Sequence, residues 1–126
     1  MANELTVTAS IDYDKNNHQL NFTPEVQQIT VAGEKHAAGV QALTTSHEAI
    51  VLNEVTAGIQ GWAWFRNIGT DTSTHIKVGI NNADSSFTEV FNLKGGEFAI
   101  MRLGGTALYA ESSTGTLHLQ YSIIEE

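Results

Sequence analysis

Apolar residues recur at every second position along much of this chain, in short runs broken by turn residues. Leu5, Val7, Ala9, Ile11 and Tyr13 alternate with Thr6, Thr8, Ser10 and Asp12. Ile76, Val78 and Ile80 alternate with His75, Lys77 and Gly79, and Leu117, Leu119, Tyr121 and Ile123 repeat the pattern near the end. A strand turns successive side chains to opposite faces. This spacing therefore describes half-buried strands, one face on a core and one in water. No segment sustains the 3.6-residue period of a helix. Polar and glycine-rich segments at 14–17, 32–35, 69–73, 81–86, 94–97 and 104–105 supply the turns, the paired glycines because they accept positive φ.

Leu20 and Phe22 suggest a second strand, stopped at Thr23-Pro24 because proline cannot donate to a ladder. Val26, Ile29 and Val31 mark a third. Residues 36–45 read equally as strand or irregular connection. Residues 49–52 form a short, fully apolar run and are expected as a buried strand. The strongest strand signal lies in 59–67, with Trp62, Trp64 and Phe65. Residues 98–103 are apolar on both faces apart from Arg102. The whole reads as an all-β chain of about 8–10 short strands, at the turn spacing of a sandwich or barrel. Two packed antiparallel sheets are expected rather than one open sheet.

The chain has 126 residues, which predicts a single domain over 1–126. With 41% hydrophobic and 16% charged residues, it has a globular composition. The formal net charge is -8, from 6 Lys+Arg against 14 Asp+Glu. Such a chain is poorly suited to nucleic acid, whose phosphates dominate affinity, and is repelled by anionic membrane surfaces. No apolar run approaches the roughly 20 residues of a membrane-spanning helix. The start, Met1 to Glu4, has neither the basic residues nor the apolar stretch of a signal peptide, so synthesis in the cytoplasm is expected. The absence of cysteine excludes disulfides, thiolate zinc sites, iron–sulfur clusters and cysteine nucleophiles.

The five histidines, His18, His36, His47, His75 and His118, include no pair at the three-to-five spacing of zinc ligands on one element. His75 and His118 fall on outward strand faces. Glu48, Glu54, Glu89 and Glu97 lie near strand ends and turns, where carboxylates are solvated. Asp71 and Asp84 sit in small polar loops without the ligand pattern of an EF-hand, and turn chemistry explains them. No nucleophile elbow and no phosphate loop is present. Neither enzyme activity nor a metal or cofactor is expected.

Trp62 and Trp64 share a strand face by parity. Core packing, a subunit interface and a sugar-stacking platform are all open to them, in that order. Arg66 and Arg102, the only arginines, lie in apolar strands and need either solvent or a carboxylate. Glu97, Glu111 or an acid of a neighbouring subunit would serve.

The segment Gly61-Trp62-Ala63-Trp64-Phe65-Arg66-Asn67-Ile68-Gly69 is followed by Ile76-Lys77-Val78-Gly79-Ile80. After these come Phe91-Asn92-Leu93-Lys94-Gly95-Gly96-Glu97, Arg102-Leu103, Leu108-Tyr109-Ala110 and Leu119-Gln120-Tyr121-Ser122-Ile123-Ile124-Glu125. Over about residues 47–126 this order resembles small β-sandwich proteins among bacteriophage structural genes, the capsid decoration or cement proteins and related virion accessory proteins. The resemblance implies a jelly-roll-like sandwich and a homo-oligomer, often a trimer. It further implies binding to a larger protein lattice, here the major capsid protein or another virion protein, with location on the capsid surface and no catalysis. Oligomers hide open sheet edges, and a repeated lattice makes weak contacts durable through multivalency. The acidic charge suits an outer surface.

Two segments are expected to carry these contacts: the aromatic strand with Trp62, Trp64 and Arg66, and an N-terminal arm within residues 1–7 that includes Ala2, Asn3, Glu4 and Leu5. The alternatives are a head-fibre, neck or tail accessory of the virion and a carbohydrate-binding module.

Overall fold

A computed structural model describes residues 3–126. The expectation for Ala2 lies outside the described residues. Among these residues the structure is all-β, with twelve strands and no helix. It divides into two compact units, one running to Ala32 and the other spanning Gly33–Glu126.

The first unit holds four short strands. β1 (Leu5–Val7) pairs antiparallel with β4 (Gln27–Ile29), matching Leu5 to Ile29 and Val7 to Gln27. β2 (Ile11–Lys15) and β3 (His18–Phe22) form a hairpin. Its turn is Asn16-Asn17, with φ of 51° and 67°. Two consecutive residues with positive φ give the twist that a two-residue hairpin needs, and asparagine tolerates that region better than most residues. The sequence predicts one half-buried strand through Leu5–Tyr13. Instead the chain leaves the ladder at residues 8–10, and every residue of β2 and β3 is exposed.

The second unit holds β5 (His36–Leu43), β6 (Glu48–Ala49), β7 (Gln60–Asn67), β8 (His75–Asn81), β9 (Phe87–Lys94), β10 (Phe98–Arg102), β11 (Tyr109–Ser112) and β12 (Leu117–Glu125). Its antiparallel pairs are nested: β8 with β9, β7 with β10, β6 with β11, and β5 with β12. The unit is thus one long hairpin of four strands out and four back, folded across itself. Two further pairings, β7 with β12 and β8 with β11, complete two four-stranded sheets. The first has the order β10-β7-β12-β5 and the second β6-β11-β8-β9. They are separate sheets with free edges, sandwich-like, and no closed barrel forms. Residues 36–43 resolve as strand. Of the run 49–52, only Ala49 is in a strand; Ile50 is buried and Val51 exposed.

The core lies between the inner faces. Leu43, Ala63, Phe65, Leu119, Tyr121 and Ile123 come from the first sheet; Ile76, Val78, Leu93 and Ala110 come from the second. Phe65 meets Phe91 across the gap, ring centroids 6.2 Å apart and tilted by 44°. Asn67 ties the two sheets by one hydrogen bond and caps its own loop by another. Its Nδ2 donates to the Leu93 carbonyl of β9 at 3.0 Å, and its Oδ1 accepts from the Gly69 amide at 3.0 Å. A bulge between Val78 and Gly79 shifts the β8–β9 register. There the backbones approach so closely that a Cβ on Gly79 would collide with the Thr88 carbonyl.

Candidate functional site

The strand β7 sends Ala63, Phe65 and Asn67 into the core, so parity sends Trp62, Trp64 and Arg66 outward. Of the places open to the tryptophans, the core between the sheets is therefore the one they do not occupy. Both lie half-buried on the outer face of the first sheet, and Arg66 on the same face is exposed. An arginine cannot enter this core without a partner, which fixes the side that faces water.

Register assembles the rest of the face in rows. Phe98 of β10, Arg66, Gln120 of β12 and Val40 of β5 lie abreast. The next row is Ile100, Trp64, Ser122 and Ala38. Beyond it Arg102 opposes Trp62. Phe98 is 61% exposed, Val40 54% and Ile100 36%. An outward sheet face is ordinarily polar, and contiguous apolar surface of this kind marks a contact site.

The electrostatics of the face are simple. Arg102 Nη2 donates to Glu126 Oε2 at 2.6 Å. Arg66 has no hydrogen bond or ion pair among the described residues. Glu97 and Glu111, the expected partners, are engaged elsewhere. Glu97 Oε2 accepts from the Lys94 amide at 2.7 Å, and Glu111 lies 3.5 Å from Lys77 Nζ. The face therefore presents aromatic and aliphatic surface with one uncompensated cation. Phe98, Ile100, Val40 and Glu126 belong to it without having been singled out in the sequence. The signal for the first two was the strand 98–103, apolar on both faces.

The outer face of the second sheet differs. It carries the Lys77–Glu111 pair and a small aromatic group, where His47 stacks on Phe87 at 5.3 Å and meets Tyr109 edge-on at 6.1 Å. His47 Nε2 lies 3.0 Å from Asn81 Oδ1.

Asn3, Glu4 and Leu5 belong to the first unit and are tied into it. The Asn3 amide donates to Thr30 Oγ1 at 3.3 Å, Glu4 Oε2 accepts from the Val31 amide at 3.1 Å, and Leu5 pairs with Ile29. Hydrogen bonding to backbone amides holds the Glu4 carboxyl below its ordinary value.

Asp71 and Asp84 close two matching Asp-x-Ser turns. Each Oδ1 accepts from the serine hydroxyl two residues on at 2.6 Å, and from that serine's amide at 2.8 Å and 3.0 Å respectively. The serine hydroxyls hold both carboxyls below their usual range. Among the described residues no three His, Asp or Glu side chains converge as a metal site would require. No protein-family model, no curated protein and no solved structure matches this chain.

Proposed function

We propose that the protein is a non-catalytic structural component of a bacteriophage virion that decorates the capsid and stabilises it by bridging coat subunits as an oligomer. The observation that carries this reading is the apolar outer face of the first sheet, where Trp62, Trp64, Phe98 and Ile100 share the surface with an unpaired arginine. A face of that composition gains by burial against protein. The nested pairing of the eight strands supports the finer fold, since a long hairpin folded into two four-stranded sheets is the strand order of a jelly roll, the architecture of many capsid domains. The charge of -8 favours the outer side of a shell over the side that packages DNA.

The mechanism is non-covalent. Each contact is modest, and simultaneous contacts to neighbouring coat subunits raise the barrier to shell rupture through effective concentration. The test is to mix purified protein with particles that lack it and pellet them. Co-sedimentation, with greater heat resistance of the particles, is expected. Absence of binding, together with absence from mature virions, ends the proposal. Localisation to a vertex, neck or tail would instead identify a fibre or tail accessory. Glycan binding through Trp62 and Trp64 would identify a carbohydrate-binding module.

A further inference from the structure

We infer that the outer face of the first sheet packs on the same face of a second copy of this chain, about a twofold axis crossing over Trp64 and Ile100. The inference depends on the reading of this face as a contact and is indifferent to where the protein is assembled.

The register supplies the geometry. When two sheets pack face to face, a twofold axis lies between them. If it runs across the strands, each strand covers its own counterpart in the reverse direction. The row of Ile100, Trp64, Ser122 and Ala38 then meets itself. The row of Phe98 and Arg66 comes over the row of Arg102 and Trp62, because the two rows flank the central one. Arg66 thereby lies over the indole of Trp62 in the second copy, a cation–π arrangement, and beside the carboxylate of Glu126. A carboxylate accepts from several donors, so Glu126 can serve Arg102 of its own copy and Arg66 of the other. The contact occurs twice, as an isologous interface requires. An axis running along β7 would stack Arg66 on Arg66 and bring like charges together.

Charge complementarity selects the occupant. Arg66 is an exposed cation without a partner in a chain of net charge -8, and the acid it needs stands at the opposite end of the same face. Across the dyad Arg66 of one copy therefore meets an acid of the other, shared with Arg102. The size of the face is adequate. Four strands about 4.8 Å apart and about seven residues long make a flat area of roughly 400 Å². Side-chain relief raises the accessible area toward the roughly 600 Å² per partner at the small end of specific interfaces.

The experiment is sedimentation equilibrium of the full chain over a concentration series, with circular dichroism to verify folding of every variant. Wild type is expected to be a dimer that dissociates on dilution, and Ile100→Glu a folded monomer. Arg66→Glu and Glu126→Arg are each expected to raise the dissociation constant at least about tenfold by setting like charges opposite. An equimolar mixture of those two variants is expected to dimerise again, because the mixed dimer holds one charge-swapped pair and one native pair and both attract. The mixture also controls for misfolding, since damaged chains would not recover. A wild type that stays monomeric, a trimer, or a mixture no tighter than its components overturns the inference. A monomer that still binds shells through this face overturns the dyad alone and leaves the decoration reading standing.

Discussion

Asn67 joins the two sheets through its Nδ2, which donates to the Leu93 carbonyl of β9, while its Oδ1 accepts from the Gly69 amide two residues on. Asn67→Ala leaves the Leu93 carbonyl and the Gly69 amide without that partner. An unsatisfied buried group costs about 1–3 kcal/mol. The substitution is expected to lower stability by about 2–4 kcal/mol in urea unfolding, with the fold retained. Tyr121 gives a pH signature. Burial pushes its phenol above the ordinary value of 10.0, and a hydrogen bond with Asn53 opposes this in part. The unfolded chain therefore releases this proton at lower pH than the folded one. Its contribution to stability is full below about pH 10 and is lost as pH rises through the raised value. The urea midpoint is expected to fall above pH 10 in wild type and to fall less in Tyr121→Phe. At this scale the sequence was legible in part. Parity placed Trp62, Trp64 and Arg66 on one face correctly, yet parity alone does not say which face meets the core. Arg66 breaks the tie in the structure, because a buried arginine needs a partner and Ala63 and Phe65 on the opposite face need none.

Strands became hard to read where both of their faces are apolar. In β5, Ala37 and Leu43 point inward while Ala38, Val40 and Ala42 point outward, so the alternation has no contrast. The same holds for β10. These two strands border the exposed apolar face, and the missing alternation was its trace in the sequence. By contrast β8 and β12, with polar outward positions, were read directly. In β2 and β3 the error ran the other way. Ile11, Tyr13, Leu20 and Phe22 alternate as buried residues do, but all four are exposed. Periodicity records which side chains share a face and not whether anything covers it. This hairpin depends on its turn. Asn17→Val places a β-branched residue at a φ of 67° and is expected to cost about 1–2 kcal/mol locally. Faster hydrogen exchange of amides 11–22, with no change in the second unit, is the expected observation. Gly79→Ala acts on a different element. The new methyl would meet the Thr88 carbonyl at the bulge, and because backbone must move, a loss above about 3 kcal/mol in urea unfolding is expected.

For the whole molecule, length and alternation established an all-β, sandwich-like chain, and nested pairing organised its second unit into two four-stranded sheets. The pairing order was not legible, because strands of similar length and composition are interchangeable until their partners are known. The strand count was underestimated because the chain breaks its first run at residues 8–10 and because residues 36–43, readable as strand or irregular connection, are a strand. Lattice binding depends on the assembled particle, so it is on the particle that the proposed function is decided. The direct measurement is the copy number of this chain in purified virions, by quantitative mass spectrometry against the major coat protein. Capsid decoration predicts a copy number on the scale of the coat protein's own. A handful of copies per particle, or none, contradicts it.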